Sequence, residues 1–536
     1  MKNPFLAQYT IRSKQAYIFR TNRLAEITGA SAIIASAFKI IFECAKSLGL
    51  SYVRAEADKV FSLRETIDSF SSGKTDMVEL FIGGGNDTIL FRDKDVFIRV
   101  NRSYTRKILE EYPGMIPMCV GVGIDPSCNN YRADYDRLMA EAEREKNRMI
   151  PGRIQNALPF AMMDRTTNQP YSHVWTQDKE EWRRTDEAVA KLIAGKQDDK
   201  TTMDNRILDM LVTEHGEESL LAIVHADGNN MGTKIQSKLG SKENGENCTY
   251  DHCVNIMRRF TKEINDVFTV EGKKAVGQCL KEIRDLPQNR GLKDSAFNVR
   301  WVVNDGDDAT FICNARFAKA LAEAYLKAVS GYGSVTDPDE RYSSCAGICI
   351  FHSHYPVARA YELAEQACDL AKKTVHDSIE EPNGPYEECW LDFHYIHSGV
   401  GGDLEEIREL HNTKNIMARP WFVAGPEREG VQPVSQLDEL AETLKKFDIS
   451  RANIKTFGAA FEEDEAIAKV EWERTCYNAP VLKKTEKNSD GKETEVKDTL
   501  DDAVRALIPE TGGTVPRYYK VLYDLSEVYD LWYGGR

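Results

Sequence analysis

Two acidic segments of this 536-residue chain have residue types and a spacing suited to metal-dependent phosphate chemistry. In IVHADGNNMG, an apolar run delivers Asp227 to the end of a strand, and Gly228 lets the backbone turn at once. A carboxylate followed by turn amides suits a metal that bridges to phosphate. The amides of Gly228, Asn229, Asn230 and Met231 could cradle phosphate oxygens. An Asp-Gly turn that caps the next helix is the alternative.

The second segment is WVVNDGDDATFI, residues 301 to 312. Asp305-Gly306 between β-rich flanks predicts a hairpin, and Asp307 and Asp308 then begin the returning strand on opposite faces. Acids crowded at one hairpin tip repel each other unless a cation or ample water is present. A solvated acidic turn is the alternative.

The elements that must position these acids occur twice along the chain. In the first half we predict a strand (Phe5 to Ile11), a helix (about Asn22 to Ala45) and a hairpin (VELFIGGGNDTILF). A helix (Val96 to Glu111), a strand (MIPMCVGVGI) and a helix (Asp134 to Arg148) follow. The second half repeats the order: SLLAIVHAD, one or two helices within Cys253 to Ile283, FNVRWVVNDGDDATFIC, Arg316 to Val329, SSCAGICIF and Val357 to Lys373.

This order predicts an α+β fold with two ferredoxin-like (βαββαβ) units in tandem, as in polymerase palms, with helices on one face of each sheet. The first strand and the hairpin of such a unit are neighbours at the centre of the sheet. Asp227 and Asp307 would then be close enough to share a divalent metal, Mg²⁺ or Mn²⁺, able to activate a 3′-hydroxyl and neutralise leaving pyrophosphate.

We divide the chain into a first palm (1–150), a helical connector (151–218), a second palm (219–430) and a helical C-terminal domain (431–536). The stretch Lys483 to Lys497, KKTEKNSDGKETEVK, has the composition of a disordered loop.

The overall composition narrows the functional classes. A formal net charge of −15 argues against broad, unaided binding to nucleic-acid backbones, but a small triphosphate held by metal is compatible with it. The twelve cysteines include no CxxC pair, which argues against structural zinc and fits free thiols in a reducing cytoplasm. We expect no secretory signal and no membrane span, because the apolar stretch ASAIIASAFKIIF is too short.

Both acidic segments resemble motifs of the large, polymerase-like subunit of type III CRISPR effector complexes, whose second palm is related to GGDEF nucleotide cyclases. ADGNNMG is similar to the family's ADGDNMG, with Asn229 at the usual Asp, and NDGDDATF to its GGDD hairpin, with Asp305 replacing a glycine. SCAGICIFHSHYPVARAYELAEQACDLAKK resembles the strand and final helix of that palm. AYIFRTNRLAEITGAS and FIGGGNDTILF resemble the first palm.

The resemblance implies a metal at the acidic residues and a nucleotide between the palms. The implied metal ligands are Asp227, Gly228, Asp307 and Asp308. Gly306 would contact the nucleotide, and Lys372 would reach the triphosphate; an ordinary solvated lysine is the alternative. Asn229 removes one potential anionic ligand.

The first palm lacks the acids of the second. Its hairpin reads GGGND, with Gly85 and Asn86 where the second palm has acids, and Ser13 stands near the position of the strand-end Asp. Gly83 to Gly85 permit close backbone approach to a ligand or simply form a tight turn. We take Gly84, Gly85 and Asn86 as candidate nucleotide-binding residues. We therefore expect this palm to be chemically inert.

These observations lead to one functional hypothesis with two alternatives. The hypothesis is a nucleotidyltransferase or cyclase that converts ATP to cyclic oligoadenylate or a cyclic dinucleotide in anti-phage defence. The alternatives are a GGDEF-like cyclase using GTP and a scaffold subunit that binds nucleotide without turnover. RNA or CRISPR effector subunits are the expected partners, and a homo-oligomer is left open. We expect neither an HD nuclease domain, because the first palm begins near Met1, nor a zinc element.

Overall fold

The structure is a computed structural model, and it describes residues 3–21, 23–148, 160–165, 167–177, 180–198, 211–212, 219–239, 247–334, 340–377, 387–397, 401–410, 415–426, 431–487, 493–509 and 515–534. It contains helices and mixed sheets arranged as two palms, a connector and a largely helical C-terminal part. The boundaries of the predicted domains stay a prediction.

The first palm contains the predicted βαββαβ order with additional short elements. Its elements are β1 (Phe5–Arg12), α1 (Lys14–Ile18), α2 (Leu24–Ser36), α3 (Lys39–Ser47), β2 (Tyr52–Val53), α4 (Leu63–Ser71), β3 (Met77–Gly83), β4 (Asn86–Phe91), α5 (Lys94–Glu111), β5 (Ile116–Gly123) and α6 (Tyr131–Arg148). The sheet order is β2-β3-β4-β1-β5, which places β1 and the β3–β4 hairpin side by side. The ferredoxin-like arrangement is confirmed.

The connector and the second palm follow. The described part of the connector contains β6 (His173–Gln177), β7 (Glu180–Arg184) and α7 (Asp186–Asp198), so a hairpin accompanies the predicted helix. The second palm contains β8 (Leu220–Gly228), α8 (Met231–Lys238), α9 (Tyr250–Ile264), a π-helix (Asn265–Glu271), α10 (Gly272–Asp285), β9 (Arg300–Asp305), β10 (Asp308–Asn314), α11 (Ala318–Ser330), β11 (Ser344–His352), α12 (Val357–Asp377), β12 (Cys389–Tyr395), α13 (Leu404–Leu410) and β13 (Trp421–Ala424).

The second sheet is larger than the sequence predicted. Its order is β13-β12-β11-β8-β10-β9, and the four strands of the ferredoxin-like unit are joined by β12 and β13. β12 runs parallel to β11, so the chain must cross over between them, and α12 makes that crossover.

The prediction that helices cover one face of each sheet is wrong for this palm. Alternate β8 residues Ala222, Val224 and Ala226 share a core with α9 and α11, whereas Leu221 and Ile223 share a core with α12 on the other face. The crossover to the added strand β12 requires this second layer. As a result, the apolar side chains from Leu221 to Val224 are buried from one side or the other, which explains the continuous apolar run of β8.

A single helix predicted for residues 22–45 is divided into α2 and α3. The bend allows α2 to pack against α7 while α3 turns to pack against α5. No single helix among the described residues is long and apolar enough to cross a membrane, although Ala25–Ser36 and Lys39–Ser47, bent by 56°, meet that length and composition test as a pair.

The two palms pack reciprocally. Helix α9 of the second palm lies against β3 of the first, and helix α2 of the first lies against β9 of the second. In the first seam, Arg258 donates to the carbonyl oxygens of Leu80 (2.6 Å) and Glu79 (3.0 Å), and Asn255 exchanges two hydrogen bonds with the backbone of Phe61. Because equivalent elements exchange contacts, the palms form an internal pseudo-dimer.

The C-terminal part is mainly helical, as predicted. Its elements are α14 (Ser435–Lys446), α15 (Arg451–Glu463), α16 (Glu465–Asn478), β14 (Leu482–Lys487), β15 (Glu493–Asp498), α17 (Leu500–Leu507), α18 (Arg517–Val528) and a π-helix (Tyr529–Tyr533). The stretch Lys483–Lys497, predicted as disordered, forms the antiparallel hairpin β14–β15 over its described residues. Composition alone misses such backbone pairing, because polar β-strands need no apolar run.

Candidate active site

The acids of the second palm meet where β8 and the β9–β10 hairpin end together. Asp308 pairs with Asp227 across β10 and β8, and with Asp305 across β10 and β9. Asp307 lies in the turn, where its carbonyl oxygen accepts a hydrogen bond from the Gly228 amide at 3.2 Å. The structure therefore brings together the three acids that the sequence assigned to catalysis.

Gly228 has a steric reason to be glycine. A Cβ at this position would lie 2.8 Å from Cβ of Asp307 and 2.7 Å from the Met231 side chain. The strand end and the hairpin turn are thus pressed together at Gly228, and this contact sets how far Asp307 lies from Asp227.

Lys372 reaches the same place from helix α12. Its Nζ donates to Oδ2 of Asp227 and to the carbonyl oxygen of Gly228, the latter at 3.0 Å. Burial lowers the pKa of Lys372, but the attraction and hydrogen bond to Asp227, together with the effects of Cys368 and Cys345, outweigh burial and leave the pKa raised. A solvated lysine is therefore wrong as a description, and Lys372 is part of the acidic site.

His225 is buried on β8 and lies beside Asp308. Its Nδ1 is 2.9 Å from Oγ1 of Thr310 and 3.5 Å from Oδ1 of Asp308. Burial lowers the pKa of His225 to about 4, so the ring is neutral near pH 7. The sequence reasoning overlooked this histidine because nothing in its spacing separates it from the apolar strand.

Only some of the turn amides that the sequence predicted to bind phosphate are available for it. The amide of Gly228 bonds to Asp307, and the amide of Asn229 donates to the carbonyl oxygen of Ser343 at 3.0 Å. The Asn229 side chain is buried and donates to Ser343 Oγ and to the Glu388 carbonyl oxygen. Asn230, in a left-handed conformation, precedes α8, and Met231 is the first residue of that helix. The amides that can face a phosphate are therefore those of the first turn of α8.

Two further acids face the site from α12. Burial raises the pKa of Glu365 and of Asp369, and the negative charge of Asp227 raises both further. Glu365, Asp369 and Lys372 follow each other at helical spacing, so they share one face. That spacing was visible in the sequence, but the face that it occupies was not.

The hairpin turns of the two palms face each other. A Cβ on Gly306, which has a φ of +66°, would lie 3.9 Å from the amide nitrogen of Gly84. Two cavities flank this contact. One, of about 190 Å³, is lined by residues that include Gly84, Asn86, Met231, Gly306 and Asp307. The other, of about 210 Å³, is lined by residues that include Lys14, Gly84, Gly85, Asp307 and Asp308.

Strand register shows which first-palm residues stand at the positions of the acids. Gly83 pairs with Asn86 as Asp305 pairs with Asp308, so Gly85 and Asn86 match Asp307 and Asp308. Asn86 pairs with Thr10 as Asp308 pairs with Asp227. The residue that matches Asp227 is therefore Thr10; the assignment to Ser13 is wrong, because β1 continues for two residues beyond Thr10.

The donor set of the second palm suits a hard divalent cation. Asp227, Asp307, Asp308 and the Gly228 carbonyl supply oxygen ligands, and Asp227 and Gly228 already contact a positive charge on Lys372. Within the described ranges no three His, Cys, Asp or Glu side chains are placed to hold a metal by themselves. A site of this kind fits Mg²⁺, which commonly combines one or two carboxylates with substrate phosphates.

Comparison with known proteins identifies the second palm. Residues 220–380 match the family model for the Cas10/Cmr2 second palm domain. The match confirms the resemblance drawn from the motifs: this part of the chain resembles the large subunit of type III CRISPR effectors. Among curated proteins, none matches the sequence.

Solved structures give distant similarities over nearly the whole chain. A Csm1–Csm4 cassette in complex with cA4 matches with a TM-score of 0.49 at 11% identity, covering 99% of this chain and 70% of the other. A cassette in complex with one ATP matches with a TM-score of 0.49 at 12% identity and the same coverage. Function is therefore inferred from the family match and from the site itself.

Proposed function

We propose that this protein is a nucleotidyltransferase of the type III CRISPR large-subunit class, which joins ATP into cyclic oligoadenylate or a cyclic dinucleotide. In each step a 3′-hydroxyl attacks an α-phosphate, a phosphodiester bond forms, and pyrophosphate leaves. ATP is proposed on the strength of the family resemblance, whereas the demand for a triphosphate follows from the site.

The observation that carries this proposal is the meeting of Asp227, Asp307 and Asp308 at a contact between two palms. Such carboxylates at a strand end suit a divalent metal, and the facing turns leave cavities on both sides for two nucleotides. Each cavity is below the roughly 300 Å³ typical of enclosed ligand pockets, so each suits a base while the phosphates extend to the acids.

The chain's own residues would divide the work. Asp227, Asp307, Asp308 and the Gly228 carbonyl would hold Mg²⁺ or Mn²⁺, and Lys372 with the first-turn amides of α8 would hold the triphosphate. A bound divalent metal would lower the pKa of the attacking hydroxyl and offset charge on the leaving pyrophosphate. Catalysis would otherwise depend on positioning the two nucleotides across the facing turns.

Incubation of the purified protein with Mg²⁺ or Mn²⁺ and each nucleoside triphosphate tests the proposal. We expect pyrophosphate release and a phosphodiester-linked product that resists phosphatase, because a cyclic product has no terminal phosphate. The reaction should be repeated with cellular RNA and with type III effector subunits, since the proposed class acts within such complexes.

The outcomes separate the alternatives. Preference for GTP would favour the GGDEF-like cyclase. The absence of turnover with every nucleotide, together with the absence of metal-dependent nucleotide binding by calorimetry under both conditions, would leave the scaffold.

A further inference from the structure

The ammonium group of Lys372 lies where the proposed function requires a metal ion. It contacts Oδ2 of Asp227 and the carbonyl oxygen of Gly228, and Gly228 has only that oxygen to offer as a ligand. Carboxylate and carbonyl oxygens are the ligands that hard divalent cations take. A positive charge from the chain itself therefore already occupies part of the proposed ligand set.

The backbone that carries Lys372 is fixed, whereas its charged end can move. Helix α12 lies directly on β11: a Cβ on Gly347 would lie 2.0 Å from the carbonyl oxygen of Ala364. One turn before Lys372, the thiol of Cys368 donates to the carbonyl oxygen of Cys345 at 3.2 Å. The Lys372 side chain is 27% exposed, so its flexible stem can swing without displacing the helix.

Electrostatics explains why a cation belongs there. The carboxylate of Asp227 disfavours negative charge on Asp369 and on Glu365, which lie on the same face of α12, so a cation beside Asp227 relieves that repulsion. A divalent metal and an ammonium group compete for Oδ2 of Asp227 and for the Gly228 carbonyl oxygen, because like charges at contact distance repel. Entry of the metal at these oxygens therefore favours displacement of Lys372.

We propose that Lys372 is a place-holding counter-ion that couples metal binding to nucleotide binding. In the empty site it neutralises Asp227 and holds Gly228, and it moves onto the triphosphate when metal and nucleotide arrive together. This inference rests on the proposed function, since it needs a metal bound with a triphosphate. Metal alone must compete with the ammonium, whereas a triphosphate gives the ammonium a new partner, so the two ligands bind with positive cooperativity.

The inference is tested by titrating the full-length protein with Mn²⁺ in the absence of nucleotide and measuring bound Mn²⁺ by electron paramagnetic resonance. Lys372→Met should raise the affinity for Mn²⁺ alone by about tenfold, as expected when one charged competitor is removed. Lys373→Met is the matched control, because it removes the same charge from the neighbouring, exposed residue. The control should leave the affinity unchanged, and Lys372→Arg, which keeps the charge, should stay close to the wild-type protein.

A second titration contains a non-hydrolysable ATP analogue. Here the wild-type protein should bind Mn²⁺ more tightly than without the analogue, and Lys372→Met should lose most of that gain. Adding Asp227→Asn to Lys372→Met should remove the tighter binding of Mn²⁺ alone, which ties the effect to that carboxylate.

Equal Mn²⁺ affinities of Lys372→Met and the wild-type protein would overturn the inference. So would an equal gain in Lys373→Met, because it would show that removing any nearby positive charge strengthens Mn²⁺ binding. Neither result would affect the proposed function. If none of the proteins bound Mn²⁺ with or without the analogue, the proposed function would fail with the inference.

Discussion

Both palms contain a hairpin whose returning strand carries an acid, but the position of that acid along the strand differs between the palms. In the second palm Asp308 starts β10 opposite Asp227, at the edge where the cavities open. In the first palm Asn86 holds that position, and the acid comes one residue later, as Asp87, opposite Tyr9. Because side chains alternate along a strand, the one-residue shift turns the carboxylate to the other face of the sheet.

The shift changes what the carboxylate can do. Asp87 is fully buried, and its pKa is raised well above the ordinary value by burial and by the negative charge of Glu79. Burial therefore favours the protonated, neutral carboxyl group, which is unsuited to binding a cation. The comparison teaches that hairpin composition alone does not determine a metal site; the face on which the acid lies does.

The largest expected difference between the palms is in turnover. Asp307→Ala should lower pyrophosphate release by about a hundredfold or more, the usual cost of removing an electrostatic element of a catalytic site. Asn86→Ala, at the position in the first palm that matches Asp308, should weaken nucleotide binding at most. Steady-state assays of the two variants measure this contrast, and comparable losses in kcat would show that both turns take part in catalysis.

A smaller difference is expected in stability. Asp227 is paired with Lys372, so Asp227→Ala leaves a half-buried ammonium with fewer partners and should cost about 1 kcal/mol. Repulsion among the clustered acids alone would predict no loss of stability, so a loss would reflect the pairing of Asp227 with Lys372. Thr10→Ala, at the matching position in the first palm, should cost less. Urea unfolding compares them, and a larger loss for Thr10→Ala would contradict the ion pair's contribution.

The buried acid of the first palm should make stability depend on pH. Burial raises the pKa of Asp87, so the folded state favours the protonated carboxyl group, whereas the unfolded chain releases the proton above about pH 4. Stability is therefore lost as pH rises above that value. Asp87→Asn should flatten the decline, which melting temperatures between pH 5 and pH 8 would show. Asp307→Asn serves as the control; an unchanged slope in Asp87→Asn would mean that Asp87 ionises normally.

The smallest effect is expected from giving the first palm an acid at the right position. Asn86→Asp alone should add no Mn²⁺ site, because Thr10 stands opposite it. The double variant Thr10→Asp/Asn86→Asp places two carboxylates opposite each other and should add a weak one. The stoichiometry of Mn²⁺ binding distinguishes these results, and a second site in the single variant would show that one acid suffices.

Local patterns predicted the elements around the site well, because the hairpin turns, the strand-end glycine and the apolar runs act over short range. Asp227 and Asp307 are far apart in the sequence, yet the βαββαβ order predicted that they lie close together. The direct pairing of Asp308 with Asp227 was not predicted. The pairing of Asn229 with Ser343, the contact of Lys372 with Gly228 and the burial of His225 were not predicted. These contacts depend on α12 and the start of β11 lying beside β8, and tertiary placement of that kind leaves no local signal.

The reciprocal seams between the palms bear on how such a chain can evolve. The apolar surface of α9 is completed by the first sheet, and that of α2 by the second, so neither half has a finished core of its own. Deleting the half that lacks the paired acids would expose the surface on which its partner folds, and a separately expressed residue 219–430 fragment should aggregate or stay partly unfolded. The first palm is thus tied to the second by the demands of folding. The helix and strand that form the seams must persist, and the turn of the first palm is constrained as well, because it faces Gly306 and lines both cavities.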